Sequence, residues 1–387
     1  MIGSARYTER LGQIPTPFYF YDMELLRATL DAVSTEAGRY GYKVHYALKA
    51  NFNERIVTEM KRYGLGADCV SGGEVRRAID CGIPASDVVF AGVAKTDQEI
   101  ILGLDEGIFS FNCESREELE VINALAAQRG KIADIALRIN PDVDAMTHQH
   151  ITTGKADSKF GISYQEIDQV IARLGELKNL NIVGIHFHIG SQITHMEPFE
   201  ALCERANALQ DWFEGQGINL RHINVGGGLG IDYIDPSANP IPDFATYFAV
   251  FHNRLKVRPG QTVHFELGRS LVGQCGELLT RVLYNKVTST GLRIALVDAG
   301  FPDLIRPALY GASHRIENLT SATEQRKSYM VAGPICESSD IFARGLELPE
   351  TRRGDLLRLM SAGAYGRAMA SNYNLRPFPA EIFSDEL

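Results

Sequence analysis

From residue 43 onward, short β-favouring runs alternate with stretches whose apolar positions recur every three or four residues. Residues 43–47, 67–70, 88–91, 108–111, 135–139, 183–188, 222–225 and 262–266 read as strands. Helical patterns lie between them near 54–63, 73–80, 97–105, 116–128, 165–177, 199–214 and 244–255. Eight strands separated by helices is the count of a (β/α)8 TIM barrel; a doubly wound open sheet rarely uses eight evenly spaced units. Upstream, 15–21 reads as extended, and Asp22 suits the N-cap of a helix reaching about residue 40. After Glu266 the texture changes: 278–284, 293–297, 329–332 and 356–360 are strand-like, with few helical patterns between them. The predicted fold class is α/β: a barrel over 22–269 and a C-terminal β-rich domain, sandwich- or barrel-like, over 270–387 plus 1–21.

A barrel places reactive groups at the C-terminal ends of its strands. Lys49, Asp68, Ser71, His188, Gly226–Gly228 and Glu266 all fall there. Residues 140–161 form a long connection carrying His148, His150, Lys155 and Lys159, either a lid or partner contact or a plain surface loop. No internal repeat or low-complexity segment stands out.

Composition narrows the classes. The 387 residues are 45% hydrophobic and 22% charged, as in an ordinary globular chain. The net charge of −9 argues against nucleic-acid binding. No run approaches the ~18 apolar residues of a membrane span. Residues 1–13 are polar, so a cytoplasmic protein is expected. The six cysteines are scattered without a CxxC pair, which suits neither a disulfide scaffold nor a zinc site, and no metal is expected.

Lys49, just past the first strand, is either a surface lysine or a reactive amine; apolar flanks favour a depressed pKa and a Schiff base with an aldehyde. Val225-Gly226-Gly227-Gly228-Leu229-Gly230 is either a tight strand exit or a phosphate cradle, and it follows the seventh strand, where many barrels bind phosphate. In Phe265-Glu266-Leu267-Gly268-Arg269, Glu266 could pair with a protonated pyridine nitrogen, while Gly268 and Arg269 could cradle phosphate or bind a carboxylate. The alternative is a surface Glu–Arg pair. His186 and His188 share a strand face. They could bind a metal, or His188 could stack on an aromatic cofactor while Ser191 helps hold its phosphate; His186 reads best as a core histidine with a satisfied hydrogen bond. Arg306 and Tyr310 flank a proline-fixed bend and could grip a carboxylate. Cys336, beside Glu337 in a Gly-Pro-bounded turn, is a candidate proton donor. A small-residue turn presents Tyr365.

Taken in order, Tyr46-Ala-Leu-Lys-Ala-Asn51, the Thr153–Gly161 segment, His186-Phe-His-Ile-Gly-Ser191, Gly226-Gly-Gly-Leu-Gly230, Glu266-Leu-Gly-Arg269, Leu304-Ile-Arg-Pro-Ala-Leu-Tyr310, Cys336-Glu-Ser-Ser-Asp340 and Gly363-Ala-Tyr365 closely resemble the alanine-racemase-like barrel family of pyridoxal-phosphate decarboxylases. The resemblance spans residues 18 to about 383. It implies that Lys49 carries pyridoxal 5'-phosphate as a Schiff base and that His188 stacks on its ring. It further implies that Ser191, Gly226, Gly227, Gly228, Gly268 and Arg269 hold the phosphate end, with Glu266 at the ring nitrogen. Asp68 and Tyr365 are counted with the cofactor residues, and Arg269, Arg306, Tyr310, Glu337 and Tyr365 with the substrate ligands. Cys336, Glu337 and Tyr365 match residues that reach the site from the second subunit of a homodimer, which gives the β-rich domain a part in the active site and the interface. Cys336 is the expected proton donor, with Lys49 the alternative. The chain departs from the family at Leu267, usually proline, and at Phe301-Pro302, usually Met-Thr. The recognition groups imply an amino-acid substrate with a second carboxylate and amine at its far end. Within the class, ornithine, arginine or carboxynorspermidine decarboxylation is the nearest competitor. A metal-dependent barrel hydrolase and a non-catalytic homologue are more distant ones.

Overall fold

A computed structural model describes residues 3–141, 143 and 159–387. Most of the 140–161 connection, including His148, His150 and Lys155, therefore lies outside the described residues. The chain divides into two compact units: 30–230 with 243–268, and 1–29 with 231–242 and 269–387.

The first unit is a closed parallel barrel. Its strands, in order, are Lys43–Ala47, Gly66–Cys69, Val88–Phe90, Ser110–Cys113, Ala133–Asn140, Leu180–His186, His222–Asn224 and Thr262–Leu267. Each pairs with the next, and the eighth returns to the first with Glu266 opposite His45. A two-residue strand, Ile162–Ser163, adds to the edge of the fifth. The sixth strand ends at His186 rather than His188, because the chain turns through Gly190.

Helix starts follow local side-chain chemistry. Thr96 and Glu99 form a reciprocal capping box for Asp97–Glu106, and Gly107 closes that helix at φ 68°. Ser115 caps Arg116–Gln128, which buries Leu119, Ile122, Leu125 and Ala126 along one stripe. Each of the three larger side chains contributes about 1.5–3 kcal/mol. Ser71 is also a cap: its Oγ accepts from the Glu74 N–H, so it serves the helix Gly72–Asp80 rather than the barrel mouth. The helix predicted over 165–177 is confined to Ile167–Leu174 after a short 3-10 turn.

Polar residues line the barrel interior in two layers. In the lower layer His45 Nε2 meets His264 Nδ1 at 2.8 Å, and the His222 ring centres 5.0 Å from His264. Burial holds these imidazoles neutral, His222 down to about 3 and His264 to about 2. Gly66 and Gly184 make room for them: a Cβ at either would stand 2.5 Å from a ring nitrogen of His45 or His222. Two residues further along the strands, on the same face, comes the upper layer: Asp68, Asn112, His186, Asn224 and Glu266.

The second unit holds an eight-stranded sheet in the order Ile316–Asn318, Leu356–Leu359, Gly276–Val287, Arg293–Val297, Arg326–Ala332, Ile341–Pro349, with Phe18–Tyr21 added on the Gly276–Val287 strand and Ala380–Phe383 paired in turn with Phe18–Tyr21. Leu11, Phe18, Phe20, Leu279 and Leu356 form one of its cores. Inside it Arg358 pairs with Glu277 at 3.0 Å. Asp22 caps Met23–Gly38, its Oδ1 accepting from the N–H groups of Glu24 and Leu25. Among the described residues no helix is long and apolar enough to cross a membrane.

Candidate active site

Barrel closure brings together side chains from five strands. The first strand runs into a 3-10 turn, Leu48–Ala50, that carries Lys49. Its Nζ lies 3.1 Å from Asp68 Oδ2, with the lysine side chain a third exposed and the aspartate fully buried. Asp68 Oδ1 has no partner among the described residues. Burial and the charge of Glu266 push the Asp68 carboxyl up, against the pull of Lys49.

Glu266 has three side-chain partners in the barrel interior. Its Oε1 accepts from Asn112 Nδ2 at 3.0 Å and Asn224 Nδ2 at 2.7 Å, and its Oε2 meets His186 Nε2 at 2.9 Å. Burial alone would raise its pKa, but His186 and Lys49 outweigh that and hold the carboxylate well below the usual range. The metal reading of the two histidines loses one of its members here, since His186 is engaged with Glu266. His186 is a core histidine, as the strand pattern favoured, but only its Nε2 is bonded; Nδ1 is buried with no partner among the described residues. Among the described residues no group of three or more His, Cys, Asp or Glu is placed to hold a metal.

His188 stands just beyond the sixth strand. Burial, with the charges of Lys49 and Arg138, drives its pKa well below 6.5, so the ring is neutral. Its Nδ1 accepts from the Gly227 N–H at 3.5 Å. The glycine turn is packed against backbone: a Cβ at Gly226 would lie 2.1 Å from the Phe187 carbonyl oxygen, and one at Gly227 1.9 Å from that of Glu266. Gly226 and Gly228 also have φ of 71° and 108°. Ser191 lies in the adjoining loop, which is tied to this turn by Ile193 N–H to Gly228 O at 2.9 Å. Gly268 follows the eighth strand, where a Cβ would crowd those of Ala47 and Ala50 at 3.1 and 3.0 Å. Leu267 ends that strand in register with Tyr46, fully buried.

A second cluster lies within the β-rich unit. Arg269 and Arg306 both donate to Tyr233 Oη, at 2.7 and 2.8 Å. The Arg269 guanidinium also covers the Tyr365 ring at 4.9 Å. Both arginines are buried, and among the described residues no carboxylate lies within ion-pair reach of Arg306. Burial pulls the Arg306 pKa down. Tyr310 ends the short helix that Arg306 begins and is half-buried.

Cys336 and Glu337 occupy an exposed turn of the same unit. Asp340 pins that turn, accepting from the Ile335 N–H at 2.7 Å and from the Phe301 N–H at 2.6 Å. Tyr373 Oη donates to Glu337 Oε1 at 3.0 Å, and Phe301 stacks on the Tyr373 ring at 5.7 Å. The Phe301-Pro302 departure thus supports the residue that holds Glu337.

The sequence pattern missed Asn112, Asn224, Tyr233 and His314. The two asparagines had a usable signal, since both sit at the C-terminal ends of barrel strands. The other two had none.

Residues 24–273 match the family described as "Pyridoxal-dependent decarboxylase, pyridoxal binding domain". The chain is 56% identical over 380 residues to the diaminopimelate decarboxylase of Bacteroides thetaiotaomicron, covering 98% of each. It is 40% identical to that of Aquifex aeolicus, covering 95% of this chain and 86% of the relative. The crystal structure of the Helicobacter pylori diaminopimelate decarboxylase complexed with L-lysine superposes with a TM-score of 0.91 at 38% identity, over 98% of this chain and 94% of that one. The barrel suits the cofactor that the matched family binds. It offers a part-exposed amine, a buried anionic carboxylate able to face a ring N–H, a neutral imidazole, and an unpartnered buried oxygen at Asp68.

Proposed function

The chain belongs to the diaminopimelate decarboxylase family, and from that premise we propose how its residues divide the work. The enzyme is a pyridoxal-phosphate-dependent lyase that converts meso-2,6-diaminopimelate to L-lysine and carbon dioxide, the last step of lysine biosynthesis. When bound, pyridoxal phosphate supplies an aldehyde that condenses with amines and a ring that takes up the electron pair left by departing carbon dioxide.

In our reading the barrel unit, residues 30–230 with 243–268, is the cofactor domain, narrower than the 22–269 expected from the sequence. Lys49 would hold the cofactor through its Nζ, which Asp68 positions at 3.1 Å. Glu266, held anionic by His186 and Lys49 and bonded by Asn112 and Asn224, would face the ring nitrogen and hold a proton there. Neutral His188 presents its ring face without adding charge. Ser191, Gly226, Gly227, Gly228, Gly268 and Arg269 take the phosphate. The β-rich unit, residues 1–29, 231–242 and 269–387, supplies substrate recognition and the interface of a homodimer. Cys336 and Glu337 of one subunit would serve the site of the other, with Cys336 the candidate proton donor; Tyr365, expected from the sequence to cross with them, instead lies against Arg269 of its own chain and belongs with that site. A cytoplasmic setting, where its six free cysteines stay reduced, accords with this reading.

The observation that carries the substrate assignment is Arg306, a buried guanidinium with no carboxylate among its described partners. Arg306 and Tyr310 take the distal carboxylate and Glu337 the distal ammonium. Ornithine offers no carboxylate at that end. Leaving such a buried charge unpaired costs about 2–5 kcal/mol, roughly 30- to 5,000-fold in discrimination. The test is kcat/KM for meso-diaminopimelate and L-ornithine in wild type and Arg306→Ala. The ratio should collapse in the variant; an unchanged ratio sinks the assignment of Arg306.

A further inference from the structure

The acceptors around Arg306 are all uncharged, and they consume one end of its guanidinium. Nη1 donates to Tyr233 Oη at 2.8 Å and to His314 Nε2 at 3.0 Å, which uses both of its hydrogens. The tautomer of His314 follows from its other nitrogen. Nδ1 lies 2.8 Å from the carbonyl oxygen of Met360, which can only accept, so Nδ1 carries the proton and Nε2 the lone pair. Burial and the adjacent guanidinium push the His314 pKa down to about 3, which keeps that lone pair available throughout the neutral range. Tyr233 Oη accepts from Arg269 as well, at 2.7 Å, and the Arg306 guanidinium lies 4.9 Å over its ring. What remains of Arg306 is the Nε–Nη2 edge, two parallel N–H groups that match the oxygens of a carboxylate, with no partner among the described residues.

We propose that Tyr233 and His314 are positioning residues for carboxylate specificity: by occupying Nη1 with neutral acceptors, they present the Nε–Nη2 edge and the undiminished charge of Arg306 to the distal carboxylate of the substrate. This rests on the assignment of Arg306 made above. An acidic residue at either position would pair with the guanidinium and remove its need for a substrate anion. An apolar residue would free Nη1 and let the fork rotate.

The product allows a binding test that needs no turnover. L-lysine retains the distal carboxylate, whereas 1,5-diaminopentane lacks it and keeps both amines. Titration calorimetry on the holoenzyme compares the two ligands in wild type, Tyr233→Phe, His314→Leu, His314→Gln and Arg306→Ala, and with each of the first two substitutions placed on Arg306→Ala. Wild type should prefer L-lysine. Tyr233→Phe and His314→Leu should each weaken L-lysine by about 10-fold or more, with little change for 1,5-diaminopentane. His314→Gln, which restores an acceptor, should recover part of the loss. On the Arg306→Ala background neither substitution should have a further effect. Equal weakening of both ligands, or an effect that persists without Arg306, would mean a merely structural role and overturn the proposal. If Arg306→Ala keeps the L-lysine preference, the assignment of Arg306 fails first and this inference with it. Tyr233→Phe keeps the ring and decides the matter should His314→Leu not fold.

Discussion

Glu266→Gln keeps the shape of the side chain and removes its charge, so its consequences can be worked from the bonds around it. Oε1 accepts from two amides, Asn112 and Asn224, so the new amide oxygen must take that position. The new NH2 then faces His186 Nε2 at 2.9 Å. That nitrogen can accept only if its proton sits on Nδ1, which is buried with no partner among the described residues. In either tautomer one N–H is stranded in the barrel, at a cost of about 1–3 kcal/mol. The sign with pH is defined. The folded pKa of Glu266 lies below its ordinary value of 4.5, so its stabilisation is present above that value and fades as the pH falls below it. Wild type and variant should therefore converge in acid. Catalysis should suffer as well. An opposite charge in contact raises a pKa by about 1–3 units, so losing it should cut the protonated fraction of the ring nitrogen, and kcat with it, by roughly 10- to 1,000-fold. Guanidinium unfolding at pH 7 and at acid pH, with kcat at saturating cofactor, measures both. A variant as stable as wild type with kcat within about twofold would refute the reasoning.

Lys49→Ala should lose the borohydride-trappable lysine adduct and nearly all activity; mass spectrometry locates the adduct, and a trapped residue other than Lys49 in wild type would contradict its role. Mixing inactive Lys49→Ala and Cys336→Ala subunits should restore part of the activity if, as proposed, two subunits share their sites, since a mixed dimer would hold one site with both native residues; no recovery in mixtures shown to exchange subunits would mean that each chain completes its own site. Glu74 is raised from 4.5 to about 7, chiefly by burial, so the folded state holds its proton more tightly and stability from this group falls as pH rises through that interval. Glu74→Gln should flatten the stability–pH curve between pH 4.5 and 7 in chemical denaturation; a slope identical to wild type would remove Glu74 from that account.

Much of the fold was written locally. The alternation of strand and helix patterns gave eight barrel strands within a few residues of their ends, because each strand and each capped helix is specified by its own neighbours. Ser71 shows the cost of reading position without local chemistry. The Ser-x-x-Glu spacing of residues 71–74 is a capping signal, and the hydroxyl is spent on the Glu74 N–H. Motif residues were legible too, since Lys49, Glu266 and Arg306 stand in short contiguous signatures.

Only the tertiary structure decided which polar groups meet. Asn112 and Asn224 sit on the fourth and seventh strands, 154 and 42 residues from Glu266; their place at the strand ends marks them as candidates, but nothing local says which group they bond. Strand periodicity sets which face a residue occupies, but closure of the barrel sets what lies across from it. The same holds for Tyr233 and His314, which lie 73 and 8 residues from Arg306 and meet it only through folding. Charge state is settled at the same stage. An imidazole such as His314 becomes a fixed acceptor at Nε2 because folding buries it, places a carbonyl to accept from the Nδ1 N–H and sets a guanidinium at the other nitrogen. Local sequence fixes backbone preference residue by residue, whereas dielectric and partner geometry are properties of the assembled interior.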